Sequence, residues 1–150
     1  MAHRAPRGVG RMISAVACMA LAIYFEARGE PAIGQIAVGH VILNRTLDKR
    51  FPENVCEVVF QGQTYKWKPD LPIRHRCQFS FFCDGKSDKP RDHTAHVEAV
   101  YLSKMILDSR LPDPTEGSTH YHSTAVLPSW ASSKTAVVRI NNHIFYRWEK

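Results

Sequence analysis

The chain has 150 residues, of which 44% are hydrophobic and 23% charged, and this is enough for one domain with a sizeable core. Twenty Lys and Arg against fourteen Asp and Glu give a net charge of +6, which favours an anionic partner such as a nucleic acid, an acidic membrane surface or a cell-wall polymer. The basic residues are scattered, apart from the amino end and residues 74–76, so the sequence does not support a nucleic-acid-binding surface.

The amino end is basic over residues 1–10, and we expect a flexible arm there, ahead of a single domain at 11–150. A mainly apolar run follows from Met12 to Phe25, and the combination imitates the charged and hydrophobic regions of a signal peptide. The run leads directly into the charged segment EARGE, so we interpret it as a helix of the domain. It is too short to span a bilayer, and no stable membrane insertion is expected.

The apolar run ends on a carboxylate, Glu26, within IYFEARGEPAIGQ. In a helix, Met19, Ala22 and Ile23 lie on the face of Glu26, so its neighbours cannot solvate it. Desolvation raises the pKa of a carboxyl group, and a Glu that is protonated at neutral pH can donate its proton to a leaving oxygen. The pattern predicts a general acid at Glu26; the alternative is a helix-end Glu that faces solvent.

Two further helices are predicted next, a largely buried one over residues 35–45 and a short one over residues 53–61, which Gly62 stops. Residues 64–76 are rich in Lys, Pro and aromatic side chains, and we predict a loop that borders a cleft. Trp67 lies in this loop between Lys66 and Lys68, a combination that suits an exposed contact with an anionic glycopeptide.

The segment CQFSFFCDG predicts a short strand that ends at the turn Asp84-Gly85. Alternation along a strand places Gln78 and Ser80 on one face, where they can hydrogen-bond sugar groups, and turns Phe79 into the core. A polar sheet face without a ligand is the alternative.

The carboxyl half begins with the clearest amphipathic helix, at residues 94–110, which we assign to the scaffold. Two short strands are predicted at 136–140 and 143–148, joined at Asn141-Asn142. Helices first and short strands later indicate an α+β domain in which a helical lobe packs against a small antiparallel sheet.

His120 and His122 share one face of an extended segment, and two His at that spacing can bind zinc. A third ligand would have to come from a distance, from His40 or His143, so we expect no metal and no cofactor. Two alternative functions remain open. A zinc-dependent amidase or peptidase would lose activity to chelators, and a basic non-catalytic binding protein would keep its function after Glu26→Gln.

Four cysteines, Cys18, Cys56, Cys77 and Cys83, allow three disulfide pairings, among which the sequence does not choose. Their even number fits a protein that acts outside the cytosol. A four-Cys zinc site agrees poorly with the spacing, and free buried thiols are a further alternative.

Six blocks of the sequence resemble, in order, the cell-wall hydrolase family typified by the spore cortex-lytic enzymes: IYFEARGEPAIGQIAVGHVILNR, FPENVCEVVFQG, CQFSFFCDG, DPTEGSTHYH, PSWA and NNHIFYR. They cover most of residues 16–147, and the presence of four cysteines is most similar to proteobacterial and bacteriophage members. The resemblance implies a fold like that of lysozyme and lytic transglycosylases. The short chain fits a phage endolysin, made in the host cytoplasm and released at lysis, or a bacterial enzyme of the periplasm or cell exterior.

The resemblance further implies cleavage of peptidoglycan glycan strands between N-acetylmuramic acid and N-acetylglucosamine, with Glu26 as acid and then base. In lytic transglycosylases the muramic acid 6-hydroxyl attacks instead of water, so no second carboxylate is needed; Asp84 across the cleft would restore simple hydrolysis. Tyr121, His122 and Trp130 are expected to line the glycan cleft. We expect a monomer whose partner is the glycan strand.

Glu30 is a candidate second acid within the same block. It also suits a structural role, either as a cap of the next helix or as the partner of Arg28 or Arg45, and we favour the structural role.

Overall fold

The computed structural model describes residues 14–149, so the expected arm at 1–10 and the first residues of the predicted helix at Met12 lie outside it. The elements follow in chain order: α1 (Ala15–Ala27), α2 (Ala32–Thr46), α3 (Val55–Val59), β1 (Gly62–Tyr65), β2 (Lys68–Cys77), a 3-10 helix (Ser80–Cys83), α4 (His93–Leu107), β3 (His120–Ser123), a second 3-10 helix (Ser129–Ser133), β4 (Thr135–Ile140) and β5 (His143–Arg147).

Helix α1 is the centre of the core. Ser14 caps it, accepting a hydrogen bond from the Ala17 amide at 3.1 Å, and the chain leaves it at Gly29, whose φ of 87° favours glycine. Its side chains are buried against α2, α3 and α4 over most of its circumference. The predicted buried helix is confirmed, and Glu26 lies in its last turn.

Helices α2 and α4 pack closely against α1. A side chain at Gly39 of α2 would place its Cβ 2.5 Å from Ile106 of α4 and 3.3 Å from Ile23 of α1. A larger residue at this position would displace the fully buried Ile106 side chain, so glycine suits the place where the three helices meet. The disulfide Cys18–Cys56 joins α3 to α1.

Strands β3, β5 and β4 form an antiparallel sheet in that order. The turn between β4 and β5 lies at Asn141-Asn142, as predicted, with Asn141 at a φ of 53°. Phe145 of the sheet packs on Ala37 and Val41 of α2. An α+β arrangement of a helical lobe against a small antiparallel sheet is thus confirmed.

Two local predictions are wrong. The strand predicted over the segment CQFSFFCDG is mainly a 3-10 helix, and the disulfide Cys77–Cys83 holds the two Cα atoms 6.1 Å apart. A strand would separate them by roughly 20 Å. The loop predicted at 64–76 instead forms most of the hairpin β1–β2, whose pairing is interrupted by bulges and which accommodates prolines that rarely enter regular strands.

Within residues 14–149 no helix is both long enough and apolar enough to cross a membrane. All four cysteines are paired, in the two disulfides Cys18–Cys56 and Cys77–Cys83.

Candidate active site

Glu26 is half-buried at the end of α1, where Tyr121 of β3 reaches it. The Tyr121 hydroxyl donates a hydrogen bond to Glu26 Oε1 at 2.5 Å. Burial raises the pKa of Glu26 above its ordinary value, and Glu30 contributes in the same direction. This effect outweighs the hydrogen bond from Tyr121 and the electrostatic influence of His143 and Arg45, which lower the pKa of Glu26. The protonated form of Glu26 is therefore favoured more than in an ordinary Glu.

Tyr121 acts on Glu26 as a neutral donor. Burial and the neighbouring Glu26 carboxylate raise the pKa of Tyr121 well above its ordinary value, so its hydroxyl keeps its proton. Because Oε1 of Glu26 accepts the bond from Tyr121, the other carboxyl oxygen is the one left to hold or release a proton.

Arg45 supplies a buried positive charge close to the site. Its Nε donates to the Thr119 carbonyl at 2.7 Å, its Nη1 donates to Gln78 Oε1 at 3.4 Å, and its guanidinium lies 4.8 Å from the centre of the Phe51 ring. Burial lowers the pKa of Arg45 to about 10, and the negative charge of the Glu26 carboxylate acts in the opposite direction. Arg45 therefore remains charged at neutral pH.

Glu30 lies just beyond α1, beside this group. Its Oε1 is buried and has no hydrogen-bond partner within the described part of the chain, while His143 Nδ1 lies 3.5 Å from it. The His143 ring packs edge-on against Tyr121, with centroids 5.2 Å apart. Glu30 therefore faces His143 and not Arg28 or Arg45, and α2 has no side-chain cap, so neither predicted form of its structural role is observed.

The residues predicted on a shared strand face are separated. Both side chains are exposed, but Gln78 is joined to the site through Arg45, whereas Ser80 lies at the start of the 3-10 helix. Asp84 ends that helix, and its Oδ1 accepts a hydrogen bond from the Lys86 amide at 2.8 Å. Asp84 therefore closes a surface turn, and a role for Ser80 or Asp84 in substrate binding stays a prediction.

His122 and Trp130 lie on the other side of β3 from Tyr121, because neighbouring residues of a strand point to opposite faces. His122 Nε2 is hydrogen-bonded to the Tyr146 hydroxyl at 2.7 Å, and the Trp130 ring packs against both. Their binding to substrate also stays a prediction, and the strand geometry separates them from Glu26.

His120 and His122 share a face, as predicted, but further metal ligands do not join them. No group of three or more His, Cys, Asp or Glu in residues 14–149 is arranged to hold an ion. His143 faces Glu30 on the opposite side of the sheet, and His40 is hydrogen-bonded to the Leu111 carbonyl at 2.9 Å. This donor set does not fit a zinc amidase or peptidase.

From the sequence we did not predict that Arg45 lies close enough to act electrostatically on Glu26, nor that Glu30 contacts His143. A charged residue at the end of the apolar helix predicted at 35–45 was the available signal for Arg45. Nothing local indicates the contact of Glu30 with a residue on the last strand.

Comparison with known proteins gives a consistent family assignment. Residues 29–146 match the cell wall hydrolase family. A spore cortex-lytic enzyme of Halalkalibacterium halodurans is 36% identical over 129 residues, and one of Bacillus subtilis is 33% identical over 130 residues. Each alignment covers 85% of this chain but only 33% and 35% of the relatives, so the chain spans about a third of their length.

Two solved structures share the fold. The catalytic domain of the Bacillus cereus SleB protein matches with a TM-score of 0.62 and 28% identity over 89% of each chain. The catalytic domain of the germination-specific lytic transglycosylase SleB from Bacillus anthracis matches with a TM-score of 0.64 and 30% identity, covering 89% of this chain and 93% of that one. These matches confirm the predicted lysozyme-like α+β fold.

Proposed function

This chain belongs to the cell wall hydrolase family, and from that premise we propose that it cleaves peptidoglycan glycan strands with Glu26 as both acid and base. The observation that carries the proposal is a carboxyl group whose pKa is raised by burial and which Tyr121 holds by one oxygen. A raised pKa favours the protonated form of Glu26, and glycosidic bond cleavage requires a proton donor at the leaving oxygen. The similarity to the Bacillus anthracis protein, a lytic transglycosylase, supports the same reaction class.

In the proposed reaction, Glu26 donates its proton to the oxygen that joins N-acetylmuramic acid to N-acetylglucosamine while the bond from that oxygen to C1 breaks. The Glu26 carboxylate then accepts the proton of the muramic acid 6-hydroxyl, whose oxygen forms a new bond to C1. The products are a free N-acetylglucosamine end and a 1,6-anhydro end. No water is consumed, and Glu26 regains its proton.

The neighbours of Glu26 serve the two halves of this cycle in opposite ways. Burial and the Glu30 charge favour the protonated acid that the first half needs. The Tyr121 hydroxyl and the Arg45 charge favour the carboxylate that the second half needs. A carboxyl group under these opposing influences is suited to donate a proton in the first half and to accept one in the second.

Hydrolysis is the second candidate, because a further carboxylate lies close to the acid. The buried Oε1 of Glu30 has no hydrogen-bond partner among residues 14–149 and acts electrostatically on Glu26. A carboxylate in that position is suited to orient an attacking water, as in glycosidases that use two carboxylates.

We also propose that the protein works as a monomer on the cell wall, in the periplasm or outside the cell, either as a bacterial enzyme or as a phage endolysin released at lysis. Its two disulfides support action outside the reducing cytosol. Gln78, which Arg45 joins to the site, is the predicted sugar-binding residue that the geometry supports best.

The test is mass spectrometry of purified peptidoglycan digested by the wild type and by Glu26→Gln, each with and without a chelator. Anhydromuramic ends from the wild type alone, unaffected by chelator, are expected. Reducing ends that also depend on Glu26 would favour hydrolysis with Glu30. Cleaved peptides with intact glycan, or an active Glu26→Gln enzyme, would reject the proposal.

A further inference from the structure

The end of the β1–β2 hairpin exposes an aromatic pair outside the candidate active site. Tyr65 pairs with Lys68, so Lys66 and Trp67 form the turn between the strands. Trp67 is 74% exposed and Tyr65 is 37% exposed, and their ring centroids lie 5.4 Å apart. These four residues, 65–68, form what we term the hairpin tip.

The turn does not require these residue types. Two-residue hairpin turns favour Asn-Gly and similar pairs, because the preferred turn types need a positive φ. Among the described non-glycine residues, positive φ occurs at His75, Ser109, Glu116 and Asn141, which excludes Lys66 and Trp67. An exposed Trp in a turn that departs from the usual chemistry is a feature typical of a functional position.

The hairpin is also basic. It carries one carboxylate, Asp70, which lies 3.7 Å from Lys68 Nζ, and four Lys or Arg side chains: Lys66, Lys68, Arg74 and Arg76. The Lys68 side chain remains 48% exposed. Flat aromatic rings beside ammonium groups are complementary to a polymer that offers both sugar faces and carboxylates. Peptidoglycan offers both, through its glycan and its stem peptides.

The base of the hairpin is fixed to the helix that carries Glu26. Cys77 at the end of β2 is bonded to Cys83 of the 3-10 helix, and Phe81 of that helix stacks on Phe25 with centroids 4.8 Å apart and planes at 11°. Phe25 directly precedes Glu26 in α1. A polymer held at the hairpin tip is therefore held by an element packed on the catalytic helix.

We propose that the hairpin tip is a docking surface for intact peptidoglycan. Trp67 stacks on a sugar ring, and Lys66 and Lys68 face carboxylates of the stem peptides. This inference rests on the proposed function, since it takes peptidoglycan as the substrate. The docking surface retains the enzyme on the insoluble polymer while Glu26 acts on individual bonds, so it matters most on whole sacculi.

The binding test uses the full chain with Glu26→Gln, which keeps the polymer intact, and measures co-sedimentation with purified sacculi. Trp67→Ala should weaken binding about tenfold and Trp67→Phe much less. The double change Lys66→Ala and Lys68→Ala should weaken binding and reduce its dependence on salt. Leu127→Ala is the matched control, because Leu127 is 82% exposed outside the hairpin. Thermal unfolding verifies that each variant is folded.

Equal binding of sacculi by Trp67→Ala and its parent would overturn the proposal. A loss confined to phosphatidylglycerol vesicles would also overturn it, because the hairpin tip would then contact a membrane surface. In the chain with Glu26 intact, Trp67→Ala should slow cleavage of sacculi about tenfold more than cleavage of a soluble glycan tetrasaccharide. Equal losses on both substrates would assign Trp67 to the cleft instead.

The docking surface and the proposed function can fail separately. Sacculus binding that depends on Trp67, in a protein that cleaves no glycan, would support the docking surface and reject the proposed function. Cleavage of sacculi that depends on Glu26, together with sacculus binding that does not depend on Trp67, would do the reverse.

Discussion

The two faces of strand β3 differ in what they contact, although residues 120–122 look alike in sequence. The inner face carries Tyr121, whose hydroxyl reaches Glu26. The outer face carries His120 and His122, which pack against Trp130. The inner face therefore meets the half-buried carboxyl group of Glu26, and the outer face meets an aromatic cluster.

Electrostatics separates the two faces as well. On the outer face, burial and the charges of Arg45, Lys134 and Arg50 lower the pKa of His120 to about 4, so this His is neutral at physiological pH. On the inner face, opposing influences leave Glu26 with a raised pKa. The difference teaches that surroundings, rather than residue type, decide which titratable side chain is suited to proton transfer.

The largest effect is expected from Glu26→Gln on the inner face. Loss of the acid that Tyr121 positions should reduce glycan cleavage by roughly a thousandfold or more, as measured by release of anhydromuramic ends. The folded protein should be retained. Because the pKa of Glu26 is raised in the folded state, its stabilising contribution is complete at low pH and is lost as pH rises through that pKa.

The pH dependence of the stability provides a control for this variant. Glu26→Gln should match the wild type in urea unfolding at acid pH and exceed it at alkaline pH, since Gln never carries the buried charge. A Gln variant that is less stable than the wild type at alkaline pH would show that the carboxylate is well solvated. The physical basis for Glu26 as the acid would then be absent.

Tyr121→Phe sharpens the comparison by removing one inner-face hydroxyl. The rate should fall about 10- to 100-fold, because the Glu26 carboxylate loses its donor in the second half of the reaction. Since that bond lowers the pKa of Glu26, its loss should move the alkaline limb of the pH–rate profile to higher pH. An unchanged profile would mean that Tyr121 does not act on Glu26.

Glu30→Gln should move the alkaline limb of the pH–rate profile to lower pH. The Glu30 charge raises the pKa of Glu26, so its removal lowers that pKa, and activity that needs protonated Glu26 is lost at a lower pH. The rate at neutral pH should fall only a few-fold. A loss as large as that of Glu26→Gln, with reducing ends in the residual product, would instead identify Glu30 as a second catalytic carboxylate.

Local sequence signals were sufficient for the helix of Glu26 and for the turn at Asn141-Asn142. The helix is an apolar run whose end is marked by Gly29, and the turn lies between two short runs of strand-forming residues. The same apolar run predicted that Glu26 is removed from water, with a solvent-facing helix end as the alternative, and the structure leaves the Glu26 side chain half-buried.

Pairing over long sequence distances was not visible. Tyr121 and Glu26 are 95 positions apart, and the register with β5 decides whether Tyr121 or His122 faces inward. The 3-10 helix at Ser80–Cys83 depended on the pairing of Cys77 with Cys83, which the sequence left open. Once that disulfide is formed, an extended segment between the two cysteines is geometrically impossible.

The smallest effect on activity is expected on the outer face. Tyr146→Phe removes the hydroxyl that lies 2.7 Å from His122 Nε2 in a buried setting, and it should lower the free energy of unfolding by about 1 kcal/mol. The rate of glycan cleavage should stay within about twofold of the wild type, because the lost bond stabilises packing away from Glu26. Urea unfolding and product release measured on the same preparation test both parts, with Tyr121→Phe as the matched Tyr-to-Phe change on the inner face.

A loss of activity comparable to that of Tyr121→Phe, at unchanged stability, would place the outer face within the glycan site. The distinction between the two faces would then fail, and the prediction that His122 and Trp130 bind sugar would gain support.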